Sequence, residues 1–369
     1  MTAIHDVVVV GGGAIGAACA REIARRGANV ALLEPGTDEG QGWRAAAGML
    51  APEIEARQED DPLVPFGVAG RERLVEVSAE LTESVGLDIG LWQEGMAQVA
   101  FTEEDAGELR DRVAYQRQQG LLCDWHDAEE TAARWPWLGP AYGAIWAPAG
   151  GAVDPVRLVE ALRADAQRAG ATLITDRATG IERQGDRVSA VIGRERYAAD
   201  SVVIAAGAWS PLIDGLPRPL AIAPIRGEMA ALPMPGGMTP AIVYGKGAYL
   251  VARGDEVVVG STMEFAGFRN EVTSAGLARI FTGVSQICPE LARQPVRRTW
   301  AGLRPVSPDG RPIIGADPDL RGLWYATGHG RNGILLSAIT GLLLQQLIAG
   351  EPTAVEDLSA FDPGRFWRW

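Results

Sequence analysis

Val7-Val8-Val9-Val10-Gly11-Gly12-Gly13-Ala14-Ile15-Gly16 joins four β-branched residues to a glycine-rich turn, and Ala17, Ala20, Ile23 and Ala24 continue from it at helical spacing. The segment reads as a buried strand, a tight turn and a helix. A second aliphatic run, Val30 to Leu33, ends on Glu34, 21 residues beyond Gly13 (34 − 13), where an acid meets the ribose hydroxyls of a dinucleotide. Each glycine has its own task. Gly11 permits the turn, Gly13 lets a pyrophosphate approach the main chain, and Gly16 lets the helix pack on the strand, while Ala14 and Ile15 begin a helix whose free N–H groups attract phosphate. The combination points to dinucleotide binding. A glycine loop that serves a tight turn and nothing else is the alternative.

The surrounding composition narrows the class. A chain of 369 residues exceeds one ordinary core and predicts two domains. Its net charge of −13 argues against nucleic acid or an anionic membrane as partner, since both demand a basic patch. Cys19, Cys123 and Cys288 are scattered without CxxC spacing, so neither a disulfide framework nor a metal site is expected, which fits a reducing, cytoplasmic setting. The N-terminus has no basic segment before an apolar stretch, so no signal peptide is read there. Ile334 to Ile348 is apolar but short and carries Ser337, Thr340, Gln345 and Gln346, the pattern of a core helix.

Beyond Glu34, the run Arg44-Ala45-Ala46-Ala47-Gly48-Met49 is small enough to begin a helix whose backbone lies against a flat ligand; an ordinary alanine-rich helix is the alternative. Helices are expected over 66–85, 103–119, 127–133 and 155–169, the last with Asp154 as N-cap and Pro155 at its first position. Strands are expected over 89–101, 143–153, 170–174 and 200–209, with a hairpin around Gly185-Asp186 and strand-like text from 221 to 262. The run ending Ala205-Ala206-Gly207-Ala208-Trp209 brings backbone near a ligand at the carboxyl edge of a sheet. Trp125, Trp135, Trp137, Tyr142 and Trp146 are read as packing or interface residues, with a substrate-stacking surface as the alternative.

Two C-terminal motifs, Gly302-Leu303-Arg304-Pro305-Val306-Ser307-Pro308-Asp309-Gly310 and Gly328-His329-Gly330-Arg331-Asn332-Gly333-Ile334-Leu335-Leu336, complete the pattern. With the glycine turn, Glu34, the AAAGML segment and AAGAWS at 205–210, they make the chain resemble the FAD-dependent amine and amino-acid oxidases of the D-amino-acid oxidase group, and within it the glycine oxidases. That resemblance implies an α/β fold: a discontinuous Rossmann-like FAD-binding domain (1–87, 145–214 and 300–369) and a smaller α+β substrate domain (88–144 and 215–299) with a mixed, largely antiparallel sheet. It implies that Glu34 holds the adenosine ribose, that Arg44, Ala46, Ala47, Gly48 and Met49 run past pyrophosphate and flavin, and that Ala178 lies near the adenine. It also implies that Ala206, Gly207, Trp209, His329 and Gly330 border the cofactor and that Arg331, Asn332, Gly333 and Ile334 bring N–H groups to the flavin's pyrimidine edge, where reduced flavin gains negative charge.

For the substrate, the resemblance assigns the carboxylate to Arg304 and Tyr249 and a pocket wall to Met263, with Arg331 on the substrate side or purely structural. A salt bridge is the alternative task for Arg304, and a hydrogen-bonded turn residue is the expected task of His329. Members commonly carry a bulky aromatic where Gly330 stands, so a wider pocket is expected. Family members with covalent flavin use a cysteine near the C-terminal arginine, and none of the three lies there, so FAD is expected to be noncovalent. The implied reaction is oxidative deamination of glycine, a small D-amino acid or an N-methyl amine, with O2 reduced to H2O2 and a link to thiamine thiazole synthesis. Alternatives are a sarcosine-type secondary-amine oxidase, a D-amino-acid dehydrogenase with another acceptor, and a structural or sensory flavoprotein. Partners are then the small substrate and O2, and a homo-oligomer is compatible with the reading.

Overall fold

The computed structural model describes residues 4–38, 40–55 and 61–366. Among these, two eight-stranded sheets and a two-stranded ribbon organise the chain. The first sheet runs Ile313–Ala316, Leu323–Thr327, Arg196–Ile204, His5–Val10, Val30–Leu33, Thr172–Ile174, and is parallel except for Ile313–Ala316. The antiparallel hairpin Gly180–Gln184 and Arg187–Ile192 extends from Arg196–Ile204, turning at Gly185. The valine run is central because it can be buried on both faces: Val7 to Val10 are buried, and Val10 stands opposite both Ile204 and Leu33.

One face of this sheet is covered by four packed helices, Ala14–Arg25, Leu63–Val85, Pro155–Arg168 and Ser337–Ala349. Their small faces allow close approach; a Cβ on Gly341 would come within 2.7 Å of the Ala18 main chain. Arg21 lies fully buried among them and donates to Asp165 at 2.7 Å, Glu22 at 2.5 Å and Glu80 at 2.6 Å. Burial raises the Glu80 carboxyl, but hydrogen bonds from Arg21, Arg25 and Arg73 outweigh it and hold the pKa down to about 2. Asp154 caps its helix by accepting from the Val156 and Arg157 N–H groups, as expected from Asp154-Pro155. No helix among the described residues is long and apolar enough to cross a membrane.

The second sheet runs Arg298–Val306, Ala223–Pro233, Glu256–Gly260, Tyr249–Arg253, Ile242–Tyr244, Met96–Ala100, Gly143–Ala147, Asp124–Asp127. It is antiparallel except where Ile242–Tyr244 pairs with Met96–Ala100, so the mixed, largely antiparallel sheet expected from the sequence is present. Helices Glu103–Gln118 and Ser274–Ile287 pack against it. The boundaries expected at 145 and 300 fall inside two of its strands.

Several element limits differ from expectation, each for a backbone reason. Only Met96–Ala100 of 89–101 is a strand, because Gly90 and Gly95 turn the preceding chain at φ +64° and +84°. The stretch 143–153 is two strands, Gly143–Ala147 and Gly151–Ala152, separated by a turn through Gly150. The expected strand at 200–209 begins at Arg196 and stops at Ile204, where Gly207 at φ +56° starts the 3₁₀ turn Gly207–Leu212. The tryptophan cluster packs at the outer part of the second sheet: Trp135 and Trp146 lie 5.6 Å apart and the Arg134 guanidinium sits 3.8 Å from the Trp146 ring.

Candidate active site

A cavity of about 570 Å³ lies where the carboxyl end of the parallel sheet meets the second sheet. The glycine turn forms one end. Gly11, at φ +98°, approaches the neighbouring strand so closely that a Cβ would fall 2.6 Å from the Ala205 carbonyl. Gly16 does not line the cavity; its missing Cβ would lie 1.8 Å from the Gly11 carbonyl, so it serves helix packing as the sequence suggests. Gly13 is the helix N-cap and has no side chain to satisfy the first-turn N–H groups. Gly11, Gly13, Ala14 and Ile15 all border the cavity, as does Glu34, whose Oε2 accepts from the Gly12 N–H at 2.8 Å. Arg163 Nε donates to the Gly12 carbonyl at 2.7 Å, and its Nη2 is 3.5 Å from Glu34.

The alanine run behaves differently from its expected conformation. The helix Gly42–Ala45 ends where one was expected to begin, Ala46 is extended, and Gly48 takes φ +80° at a place where a Cβ would lie 2.0 Å from the Val153 carbonyl. Ala46, Ala47, Gly48 and Met49 line the cavity, whereas Arg44 does not: it is exposed, with its guanidinium 4.4 Å from the Trp43 ring. A helical residue beside a bulky indole has its long polar chain free to reach water, which is why the assignment of Arg44 to the cavity fails. Two groups from the second sheet fix this run. Arg253 Nη2 donates to the Ala47 carbonyl at 2.8 Å, and Trp300 Nε1 donates to the Ala45 carbonyl at 3.4 Å.

Ala178, between two strands of the first sheet, and Ala206, Gly207 and Trp209 border the same space. So do His329, Gly330, Arg331, Asn332, Gly333 and Ile334, which follow the strand Leu323–Thr327 through the 3₁₀ turn Gly330–Asn332. Gly330 has φ +55°, and a Cβ would meet only Val306, at 3.8 Å. His329 is 2% exposed, with Nε2 paired to Thr340 Oγ1 at 3.1 Å and Nδ1 unpartnered among the described residues. Burial alone pulls its pKa down to about 3, so the imidazole is neutral at neutral pH.

The second sheet supplies the opposite wall. Arg304 Nη2 donates to Ser261 Oγ at 2.8 Å and Nη1 to the Thr262 carbonyl at 3.1 Å. Thr262 is itself tied down, since its Oγ1 accepts from the Glu228 N–H at 3.0 Å. Tyr249 stands opposite Gly260, donates to Met229 Sδ at 3.2 Å, and packs against Tyr244 with ring centroids 5.5 Å apart. Met263 lines the cavity and is 63% exposed, which puts it at the mouth. None of the predicted residues Trp125, Trp135, Trp137, Tyr142 or Trp146 borders the cavity, nor does any cysteine.

Sequence reasoning did not find Ser261, Trp43, Arg163 or Arg253. Ser261 had a signal, since it follows the strand Glu256–Gly260 and precedes Met263. Arg253 had none, for its partner carbonyl is 206 residues away.

A parallel sheet with a glycine turn faces, across one cavity, a second sheet that carries a fixed guanidinium, an arrangement of the dinucleotide-dependent class. Residues 6–347 match the family model described as DAO, FAD dependent oxidoreductase. The chain is 34% identical over 368 residues to a glycine oxidase of Geobacillus kaustophilus, covering 98% of this chain and 97% of that one. The crystal structure of glycine oxidase from that organism superposes with a TM-score of 0.93, covering 99% of both chains. A Synechocystis sp. protein named bifunctional protein ThiO/ThiG is 32% identical, covering 99% of this chain and 55% of that protein. The chain belongs to the DAO family of FAD dependent oxidoreductases, and it is an enzyme of that family with FAD as its cofactor. The residues present fit the cofactor: a bare Gly13, an uncapped helix N-terminus and Glu34 all open on one cavity.

Proposed function

We propose that this enzyme oxidises glycine or another small amino acid or N-methyl amine, yielding with water the 2-oxo acid and ammonia, or methylamine from an N-methyl substrate, while O2 becomes H2O2. The carrying observation is Arg304, a guanidinium fixed by Ser261 and Thr262 on a cavity that Tyr249 also lines. A planar fork pairs both oxygens of a carboxylate, which a lysine does not. The Tyr249 hydroxyl, turned away from Met229 Sδ, would add a second donor from a strand of the same sheet with two strands between.

FAD, when bound, supplies the electron sink for the hydrogen leaving the substrate's α-carbon. Gly11, Gly13, Ala14, Ile15, Glu34, Ala46 to Met49, Ala178, Ala206, Gly207, Trp209 and the 329–334 turn would hold it. Because no cysteine borders the cavity, we infer that it is held without a covalent bond. The chain's own contribution is orientation. A carboxylate fixed by two groups leaves its amine and α-carbon few positions, and such alignment is worth up to ~7–11 kcal/mol of a barrier. His329 takes no proton in this scheme: it is neutral, and one nitrogen is committed to Thr340. The imine product, once free, takes up water and releases ammonia.

The two domains follow the two sheets in this reading, with cofactor and substrate on opposite walls. The bifunctional ThiO/ThiG relative supports a place in supplying thiamine thiazole synthesis. The deciding experiment is anaerobic mixing of the purified protein with glycine, sarcosine and small D-amino acids. Flavin bleaching with one of them, followed by peroxide on admitting oxygen, is expected. Bleaching without peroxide would identify a dehydrogenase, and no bleaching would remove the catalytic reading.

A further inference from the structure

Ser261 and Thr262 hold Arg304, so whatever fixes the segment 261–273 also fixes the guanidinium. Hydrophobic burial holds this segment only weakly. Of its apolar side chains only Ala266 is buried, while Met263, Phe265 and Phe268 are 63%, 89% and 43% exposed. Apolar surface left in water contributes nothing to holding a loop, so the polar anchors decide where it lies.

Those anchors meet at Arg226. The strand Ala223–Pro233 alternates its side chains between two faces. Gly227 faces the Arg304 guanidinium, whereas Arg226 and Glu228 project to the other side, toward the start of the helix Ser274–Ile287, and neither borders the cavity. The buried Arg226 guanidinium reaches both ends of the segment. At the near end Nη2 donates to Glu264 Oε2, and the main chains of the two residues exchange N–H···O bonds of 2.9 and 3.0 Å. At the far end Nη1 donates to the Glu271 carbonyl at 3.0 Å. Nη2 also lies 3.3 Å from Oε1 of the fully buried Glu228, which accepts from the Thr273 N–H at 3.1 Å and from Thr273 Oγ1 at 2.9 Å. A planar guanidinium offers several donors in fixed directions and joins these acceptors at once, which a lysine ammonium on its flexible stem does not.

We infer that Arg226 is a positioning residue for the substrate's carboxylate: from the far face of its strand it fixes both ends of the segment 261–273, and through Ser261 and Thr262 it sets the direction of the Arg304 guanidinium. The inference rests on Arg304 being the carboxylate-binding group of the proposed reaction.

The test is a double-mutant cycle on the FAD-loaded enzyme. Arg226→Lys, which keeps the buried charge and loses the fork, is made in the wild type and in Arg304→Met, and kcat/KM is measured with the amino acid that bleaches the flavin. In the wild type the substitution should lower kcat/KM about ten- to a hundredfold, as a small misplacement of a binding group does, chiefly through KM and with the FAD dissociation constant unchanged. In Arg304→Met it should have no further effect, because the group it positions is gone. Glu264→Gln leaves the buried Arg226–Glu228 pair in place; it should repeat the pattern with a smaller, several-fold change, and it decides the matter if Arg226→Lys does not fold. An equal loss on both backgrounds, or a weakened hold on FAD, shows a general structural role and overturns the inference, as does a wild-type KM in both variants. If no amino acid bleaches the flavin, or if Arg304→Met alone keeps wild-type kcat/KM, the reading beneath the inference fails and takes the inference with it.

Discussion

Gly227 exists for Arg304. The two lie on paired strands, and a Cβ placed on Gly227 would fall 2.0 Å from Arg304 Nη1, within the space the guanidinium fills. Gly227→Ala should therefore displace the arginine from Ser261 and Thr262. Expected are a substrate KM raised at least about tenfold and a folding cost of ~1–3 kcal/mol from overpacking, with FAD content retained. Steady-state kinetics and the flavin spectrum together check this.

Arg304 and Ser261 should separate by magnitude. Arg304→Met removes charge-assisted bonds of ~1.5–3 kcal/mol each and should lower kcat/KM by about tenfold or more. Ser261→Ala removes one support of the guanidinium but leaves its charge in place, and should raise KM several-fold with kcat nearly unchanged. Equal effects of the two substitutions would mean that Ser261 contacts the substrate itself.

The buried histidine makes a pH prediction. The pKa of His329 is depressed from 6.5 to about 3 by burial, so between those values the unfolded chain binds a proton that the folded chain refuses. This contribution to stability is fully present above pH 6.5 and is lost as pH falls toward 3. Thermal midpoints of His329→Gln should fall less steeply than those of the wild type across that window and run parallel to them above it. The pH–rate profile near neutrality should show no ionisation that disappears in His329→Gln.

Acid precipitation should leave the yellow colour in the supernatant. Cys19, Cys123 and Cys288 are all buried, and burial pushes the Cys19 thiol up to about 12, so none is positioned or activated to bond a flavin. Colour that stays with the pellet would overturn the noncovalent assignment.

Legibility in the sequence followed locality. The glycine turn could be read because its pattern falls within ten residues and Gly16 would strike the Gly11 carbonyl if given a side chain, although the Ala205 carbonyl that Gly11 approaches is brought there by the fold. Most of the cavity lining could be named through family resemblance, since it recurs in short motifs. Arg44 was misplaced because a motif gives the chain path and not the side-chain direction; Trp43 took the inward position. Ser261, Arg163 and Arg253 escaped because their partners are carbonyls or side chains brought near only by the fold. The alanine run was read as a helix start from composition, and long-range contact with Val153 and Arg253 overrode that propensity.

The bond from Arg253 to the Ala47 carbonyl ties the second sheet to the strip of chain, Ala46 to Met49, that lines the cavity. Through this bond, a molecule that stiffened the strip would also brace the opposite wall. Protein stripped of FAD should bind carboxylates poorly even with its guanidinium intact. Its melting temperature should climb with added FAD as RT ln(1 + [L]/Kd) requires, and carboxylate affinity should recover over the same concentration range.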